Sequence, residues 1–339
     1  MTDDVSTHQA EDDARNETIL IYVNGRILPK QQAMVSVYDS GFMLGDGVWE
    51  GIRLYNGRWS FVDEHIDRLF DAAKAIDIDI GMTKENVTNA LSETQIANGM
   101  THDAHARLMV TRGVKTRPFQ HPRLSQQGPT IVIIMEHSRQ KLPRPIRLAT
   151  VPHMRGLPMT QDPKLNSHSK LNCILACIAA EKAGADEALM LDVHGFVNTT
   201  NACNFFIVKR GEVWTSTGDY CMNGITRQKV IDVCREEPLP AGHRLIGHPR
   251  AAIPPARAAC DDRRPMSTAP NIADALLRAA REAQQVRRQL LRRLQRERIL
   301  ARHRLGPHAG AHGRGGGGSG GAGAGRAYAL AVRVCPPCG

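Results

Sequence analysis

The feature that most constrains this chain is a change of composition near Glu237, which divides its 339 residues into two parts. Residues 1–237 hold 26 Lys or Arg and 29 Asp or Glu, so their charges nearly cancel. Residues 238–339 hold 18 Arg, no Lys and five Asp or Glu, which explains the net charge of +10. The basic character therefore belongs to the C-terminal part alone, and only the first part has the patterning of folded domains.

The C-terminal part has two interpretations. Residues 314–326 are almost entirely Gly, Ala and Ser, and a potential helix before them would be covered with arginine. One interpretation is a disordered basic arm that binds nucleic acid or anionic surfaces. The other is translation out of frame beyond about codon 236 in GC-rich DNA, which produces the same bias and the loss of Lys. We favour the frame error, so we do not expect a nucleic-acid partner.

The first part shows regular secondary-structure signals. Asn24-Gly25 and Asn56-Gly57 each separate two apolar or β-branched runs, which is the strongest short hairpin signal. Helical spacing of apolar residues predicts helices in DEHIDRLFDAAKAID and KENVTNALSETQIANG, and after Lys170 and Gly224. Strands are predicted in HARLMVTRG, PTIVIIMEHS and IRLATVPHM, and as a meander in DEALMLDVHGFVNTTNACNFFIVKRGEVWTS.

These signals predict the domain organisation. We expect a disordered extension and a small domain, then a charged, proline-containing linker, an incomplete larger domain and the basic tail. The predicted bounds are 1–16, 17–137, 138–145, 146–237 and 238–339.

Several functional classes are excluded or disfavoured by the sequence. No run approaches about 18 apolar residues, and the polar, acidic start lacks the pattern of a signal peptide, so we expect a cytoplasmic protein without a membrane partner. The eight cysteines are scattered, and Cys335 and Cys338 have no second pair or histidine cluster beside them. We therefore predict no metal site, and the chain has no P-loop or strand-linked G-x-G-x-x-G.

Two short stretches carry residues suited to chemistry. KLNSHSKLNC holds Lys164 and Lys170 just before a predicted helix, with Ser167 and Ser169 as potential N-cap residues. The positive end of a helix disfavours an ammonium, so Lys170 is either an ordinary solvated lysine or one whose pKa is usefully lowered. Gly224-Ile-Thr-Arg-Gln places a glycine before a helix start, which is either a plain helix start or an anion site.

Taken together, these motifs resemble a known family. YVNGRILP, DSGFMLGDGVWEGIRLYNG, EHIDRLF, GADEALMLDVHGFV, NFFIVKRGEVWTS and GITRQKV occur in the order typical of class IV, or fold-type IV, pyridoxal-phosphate aminotransferases. The resemblance covers about Leu20 to Arg235, nearly two thirds of the chain. It implies an α/β (α+β) fold with a small α/β domain and a larger pseudo-barrel domain, and a homodimer.

The resemblance also implies a cofactor, pyridoxal 5'-phosphate, and residues that hold it. Arg68 matches the arginine that grips the phosphate, for which a guanidinium is suited, although it is otherwise a plausible surface residue of its helix. Ile225 and Thr226 match the backbone amides that cradle the phosphate, and Thr199 and Asn204 match positions beside the cofactor ring.

The lysine that carries the cofactor is less directly assigned. An ungapped match places Asn166 at its position. Residues 166 and 170 are one helical turn apart, so Lys170 reaches the same point if the helix extends back to 166. On a helix, the side chain of Lys164 would point away from the side chain of residue 166, whereas in a loop it could point to the same place. We predict Lys170 as the catalytic lysine, with Lys164 as the alternative.

The chain departs from the family pattern at three positions. Thr199 stands where relatives have a glutamate that keeps the ring nitrogen protonated, so we expect weaker stabilisation of negative charge and impaired activity. Trp49 stands where D-amino-acid aminotransferases have a substrate-binding tyrosine. Arg117 matches their carboxylate-binding arginine or is a solvated loop residue, and Phe119 replaces the histidine two places on.

The function that the resemblance implies is transamination between an amino acid, branched-chain L- or D-, and a 2-oxo acid. Aminodeoxychorismate lyase, which has the same fold, is one alternative. A non-catalytic protein with a nucleic-acid-binding tail is the other. The family's closing strands and its Thr/Ser-rich phosphate loop are not apparent after Glu237, so we expect impaired folding or cofactor binding if this tail is made.

Overall fold

The structure is a computed structural model that describes residues 12–139, 146–209, 212–236, 244–246 and 327–330. Most of the predicted linker and nearly all of the basic tail lie outside the described residues. So do residues 1–11 of the predicted extension. The two remaining short segments are strands beside the second half of the fold.

The first half is built on a six-stranded antiparallel sheet. Its strands are β1 Leu20–Val23, β2 Arg26–Pro29, β3 Gly47–Tyr55, β4 Arg58–Trp59, β5 Ala104–Thr111 and β6 Thr130–His137, in the order β2-β1-β6-β5-β3-β4. Its longest pairings join β5 to β3 and to β6, each over eight residue pairs. Both Asn-Gly turns have positive φ at both central residues, as type I′ hairpins require, so the two predicted hairpins are confirmed.

Helices α1 (Ser40–Leu44), α2 (Val62–Ala75) and α3 (Lys84–Ala97) belong to this half. The α2 helix packs on β3, and α3 packs on α2, β1 and β6. Their buried apolar residues join those of the sheet in one core, which includes Ile66 and Leu69 of α2. The predicted helical spacing is therefore confirmed, and Asp63 and Glu64 lie in the first turn of α2, where the helix dipole favours negative charge.

The second half contains two smaller sheets. The order β7-β8-β9 forms one sheet and β12-β11-β10-β13 the other. The predicted meander is therefore divided, because β9 and β10 lie in different sheets and only an isolated bridge joins Thr199 to Asn204. The elements are β7 Leu148–Thr150, α4 Pro158–Gln161, α5 Leu171–Lys182, β8 Glu187–Leu191, β9 Val197–Thr200, β10 Phe206–Lys209, β11 Glu212–Thr215, α6 Ile225–Glu236, β12 Arg244–Ile246 and β13 Ala327–Leu330.

Two expectations are corrected. The α5 helix begins at Leu171 with Lys170 as its N-cap and without a side-chain cap, so neither Ser167 nor Ser169 caps it. Because the helix does not extend back to residue 166, the argument that Asn166 and Lys170 share a helical face is wrong. The predicted extension also ends earlier than residue 16, since Asn16 exchanges two hydrogen bonds with the backbone of His137 over 3.0 and 2.8 Å.

Candidate functional site

A loop from the second half lies along β3 of the first half. The Trp49 N–H donates to the carbonyl of Asn166 over 2.9 Å, and the indole Nε1–H donates to the carbonyl of Ser167 over 3.2 Å. Val48 and Ser167 form an antiparallel bridge. These contacts hold the segment that contains both candidate lysines against the central sheet.

Next to Trp49, a buried carboxylate holds a candidate phosphate-binding arginine. Glu50 is 1% exposed, and Arg68 donates to both of its carboxylate oxygens, each over 2.7 Å. His65 Nδ1 lies 2.7 Å from Glu50 Oε2. Burial acts to raise the pKa of Glu50, but the hydrogen bonds from His65 and Arg68 outweigh it and lower that pKa. The carboxylate therefore stays charged and fixes the guanidinium of Arg68 in α2.

The other edge of that guanidinium reaches the start of α6. Arg68 Nη1 donates to the carbonyl of Asn223 over 3.3 Å, two residues before the helix begins at Ile225. The first N–H groups of a helix have no intrahelical acceptor, and the dipole favours an anion there. Arg227, in the first turn, lies 6% exposed and donates to the carbonyl of Ser216 over 2.6 Å. Arg68 and the helix start therefore form a positive spot suited to a phosphate.

Thr199 and Asn204 connect this spot to α5. The Asn204 Nδ2–H donates to the carbonyl of Met222 over 3.0 Å, just before α6, and Asn204 bridges to Thr199. Thr199 is 3% exposed, and its hydroxyl accepts a hydrogen bond from Arg155 Nε over 2.8 Å. Arg155 Nη1 in turn lies 3.1 Å from the thiol of Cys173 in the first turn of α5.

The two candidate lysines differ in environment. Lys170 is half-buried, and its Nζ lies 5.6 Å from the centre of the Trp49 ring. Arg107 of β5 also lies over the Trp49 ring, with its guanidinium carbon 4.4 Å from the ring centre. Lys164 is exposed, and its backbone N–H donates to the Asp162 side chain over 2.9 Å in a turn. Only Lys170 is thus placed by the described contacts against Trp49.

These contacts close into a loop that we call the contact ring. Its first side runs from Trp49 and the adjacent Glu50 to Arg68 and the start of α6. Its second side runs from the start of α6 through Asn204 and Thr199 to Arg155. Arg155 contacts α5, and Lys170 at the start of α5 lies against Trp49. All the predicted cofactor residues lie on it. Arg117 does not, because it is exposed in the loop after β5 and no contact in the described part of the chain joins it to the ring.

Sequence reasoning missed four residues of this site. Glu50 is 18 positions before Arg68, and no local pattern indicates that the two are in contact. His65 is three positions before Arg68, a spacing that places both on the same face of one helix. The proximity of Arg107 to Trp49 follows from the strand register, which places Arg107 opposite Gly51 and diagonally across from Trp49. Arg155 lies in an irregular segment whose position cannot be obtained from periodicity.

The fold and the contact ring define a two-part α/β protein with an arginine at a helix start and a lysine where its two halves meet. The model of the family "Amino-transferase class IV" matches residues 47–251, and the chain belongs to this family. The match continues past Glu237, so the family pattern extends somewhat beyond the composition change.

Known relatives show the same relationship. Branched-chain-amino-acid aminotransferase-like protein 1 of Arabidopsis thaliana is 40% identical over 224 residues, which make up 66% of this chain and 40% of that protein. A putative branched-chain-amino-acid aminotransferase of Methanocaldococcus jannaschii is 41% identical over 226 residues, 64% of this chain and 75% of that one. D-alanine aminotransferase of Listeria innocua is 34% identical over 226 residues, 65% and 76% of the two chains. This chain thus spans about 40% of the length of the Arabidopsis protein.

Solved structures agree with the fold. The branched-chain aminotransferase of Thermoproteus uzoniensis with norvaline superimposes with a TM-score of 0.62 at 28% identity, covering 70% of this chain and 79% of that one. A second branched-chain amino acid aminotransferase, complexed with N-(5'-phosphopyridoxyl)-L-glutamate, gives a TM-score of 0.61 at 26% identity, covering 68% and 76%. The predicted fold-type IV architecture is therefore confirmed.

Neither a metal site nor a membrane-spanning helix is present in the described ranges. Among the described residues, no group of three or more His, Cys, Asp or Glu side chains is arranged to hold a metal ion. None of the helices within the described ranges has the length and apolar character needed to cross a bilayer.

Proposed function

We propose that this chain is a pyridoxal-phosphate-dependent transaminase that moves an amino group between an amino acid and a 2-oxo acid. The observation that carries the proposal is the meeting of Arg68 with the start of α6, which forms a phosphate site within the contact ring. Class IV aminotransferases depend on pyridoxal phosphate, and the relatives include branched-chain and D-alanine aminotransferases. Branched-chain L-amino acids or D-amino acids are the proposed amino donors.

The residues present fit the phosphate end of this cofactor. Glu50 fixes the guanidinium of Arg68, so little conformational entropy is lost when an anion binds. The backbone N–H groups of Ile225 and Thr226 belong to the first turn of α6, where an anion is favoured. Asn204 supports the same point, because it holds the chain just before α6. When bound, pyridoxal phosphate supplies an electron sink for charge that develops on the substrate.

Lys170 is the residue that we propose attaches the cofactor and moves the proton. It precedes the first turn of α5, and Arg107 shares the Trp49 ring with it. The neutral amine is the form of a lysine that reacts in such an attachment. The freed amine would take a proton from the substrate α-carbon as a base and deliver it, as an acid, to the cofactor carbon to which the lysine had been attached.

The substrate end of the site is formed by Trp49 and arginine. Trp49 provides an apolar wall at the junction of the two halves. Arg107 stacks on this wall, and we propose that it attracts the substrate carboxylate. Arg117 remains a second candidate for that role if its loop closes over the site.

A homodimer completes the proposal. Large apolar side chains are exposed on and near α1 and along one side of α5. These two places adjoin, because Ser169, just before α5, donates to the carbonyl of Gly45 over 3.1 Å at the end of α1. Two adjoining groups of exposed apolar side chains are suited to contact with a second copy of the chain.

A trapping experiment tests the cofactor lysine. The protein is incubated with pyridoxal phosphate, reduced with borohydride and digested, and the modified peptide is located by mass spectrometry. We expect the label on Lys170, and, in an unreduced sample given an amino acid as donor, conversion of an added 2-oxo acid to its amino acid. Lys170→Ala should abolish the label and reduce turnover by at least about a thousandfold, since covalent and acid–base catalysis are lost together.

Lys164→Ala is the matched control and should keep both the label and the activity. A label on Lys164 would transfer the role to that residue. If neither lysine is labelled and no amino group moves for any L- or D-amino acid, the transaminase proposal is wrong.

A further inference from the structure

One side of the α2 helix contacts the beginning of α6 at three places. Phe61, Glu64 and Arg68 are spaced three and four positions apart, which is the spacing of residues on one helical face. Arg68 donates to the carbonyl of Asn223 just before α6. Phe61 and Glu64 both contact Lys229 in the second turn of α6. These contacts connect the first half of the fold to the second.

Lys229 makes two of these contacts with its ammonium group. Its Nζ lies 2.9 Å from Glu64 Oε1 and 5.1 Å from the centre of the Phe61 ring. Burial acts to raise the pKa of Glu64, but hydrogen bonds from Lys229 and from the backbone lower that pKa overall. The carboxylate is therefore charged at neutral pH, and the charge of Lys229 is paired with an opposite charge on the other helix.

The backbone of Phe61 shows that the start of α2 is closely fixed. Its φ is +53°, in the left-handed region that a bulky residue rarely adopts. Its carbonyl accepts the N–H of His65 over 3.0 Å, at the first turn of the helix. A residue in such a conformation persists where its surroundings hold it, and Lys229 lies over its ring. A side chain of α6 thus helps to hold the first turn of α2.

The ion pair lies close to the place where Arg68 meets the start of α6. Glu64 and Arg68 are one turn apart on α2, and Ile225 and Lys229 are one turn apart on α6. The ion pair is therefore about 5.4 Å along the helices from the first N–H groups of α6. Because each helix is rigid over a single turn, the spacing that the ion pair sets is passed on to the guanidinium and those N–H groups.

We infer that Lys229 is a positioning residue that sets the approach of Arg68 to the start of α6, and thereby the affinity of this place for a phosphate group. The inference rests on the proposed function, in which a phosphate binds there. Because its charge is paired with that of Glu64, Lys229 acts through the spacing of the two helices and not as a further cation that attracts the anion.

The affinity for inorganic phosphate tests this role without the rest of the cofactor. The full-length protein is titrated and followed by ³¹P NMR, and binding at this place is the part that Arg68→Gln removes. Lys229→Met and Glu64→Gln should each weaken this binding about two- to fivefold, the effect of one partly exposed ion pair. The exchanged pair, Glu64→Lys with Lys229→Glu, should recover most of the lost affinity. Pyridoxal phosphate serves as the second probe and should give the same order of variants.

The sign of the Glu64→Gln effect is decisive. If Lys229 attracted the anion as a free cation, removing the nearby carboxylate would strengthen phosphate binding, because one negative charge near the anion is lost. The positioning role requires that the same change weaken it.

Lys84 provides a matched control on the same helix. Its Nζ lies 2.8 Å from Asp67 Oδ1 and 5.7 Å from the centre of the Phe70 ring, so it ties α2 to α3 by the same pair of contacts. Lys84→Met and Asp67→Asn should leave phosphate affinity unchanged. Thermal unfolding of all four single variants shows whether an effect on affinity is separate from an effect on stability.

The outcomes separate this inference from the proposal beneath it. Tighter phosphate binding in Glu64→Gln, or an equal loss of affinity in the Lys84 and Asp67 variants, overturns the positioning role while the transaminase proposal stands. If the variants behave as expected but the wild-type chain transfers no amino group, the positioning role stands and the transaminase proposal falls. If the wild-type chain binds neither phosphate nor pyridoxal phosphate in a way that depends on Arg68, both are overturned.

Discussion

The buried carboxylate of Glu50 shows how one residue can organise a site that it does not line. Glu50 is held by His65 on one side and by a bidentate contact with Arg68 on the other. Removing one partner of such a buried pair leaves a charge without compensation and costs about 3–5 kcal/mol. The carboxylate therefore stabilises the fold mainly as part of the network, and its effect on the site is to fix where Arg68 points.

A second buried group, His105 on β5, gives a prediction about pH. Burial, followed by the charges of Arg53, Arg107 and His65, lowers the pKa of His105 to about 3. The folded chain therefore keeps this imidazole neutral while the unfolded chain takes up a proton below about pH 6.5. The contribution of the neutral His105 to the free energy of unfolding is fully present above about pH 6.5. It falls as the pH drops toward about 3, by up to about 1.4 kcal/mol per pH unit.

Urea unfolding between about pH 7.5 and 5, a window that spans the ordinary pKa of histidine, measures this slope. His105→Leu removes one titrating group and should make the slope in that window shallower, while the exposed His102→Leu should leave it unchanged. Part of the slope should remain in His105→Leu, because burial also lowers the pKa of His137 and of His168. Glu50 does not interfere, because its lowered pKa makes its own contribution fall only at pH values below about 4.5. An unchanged slope in His105→Leu would contradict the assignment.

At the scale of elements, α3 offers an internal comparison of two threonines. Thr83 is the N-cap, and its hydroxyl accepts the N–H of Asn86 over 3.1 Å. Thr88 lies inside the helix, where its hydroxyl donates to the carbonyl of Lys84 over 2.9 Å. Thr83→Ala should destabilise the protein by about 1 kcal/mol, because a first-turn N–H loses its acceptor. Thr88→Ala should be neutral or slightly stabilising, since alanine has the higher helix propensity.

The free energy of unfolding, measured for both variants by urea titration, checks this prediction. Equal losses for the two changes would show that the hydroxyls act through packing and not through capping.

The elements also show what could be predicted from sequence. Asn-Gly turns and helical apolar spacing are local signals, so the hairpins around Asn24 and Asn56 and the helices α2, α3, α5 and α6 were found. The start of α5 after Lys170 was predicted correctly, but the expected serine cap is absent, because both serines instead bond to the first half of the fold. The roles of Arg107 and Arg155 depend on strand register and on an irregular segment, and neither is encoded locally.

At the scale of the whole molecule, the exposed apolar patch predicts how the chain assembles. Leu171, Ile174, Leu175 and Ile178 follow each other at helical spacing along α5 and are between 41% and 66% exposed. Phe42 on α1 is 70% exposed and lies near the Gly45–Ser169 contact. Such a surface in water is unfavourable unless covered, and the proposed partner is a second copy.

Sedimentation equilibrium of the full-length chain should give a dimer. Charged substitutions in the patch, Phe42→Asp with Leu171→Asp, should produce a monomer, because burying two uncompensated carboxylates at each copy opposes association. Ile96→Asp is the matched control, since Ile96 is a single exposed apolar residue, 76% exposed, on α3. A wild-type monomer, or a dimer unaffected by the patch substitutions, would show that this surface does not join two copies. The far-ultraviolet spectrum of the double variant should stay unchanged, because both side chains are already exposed in the single chain.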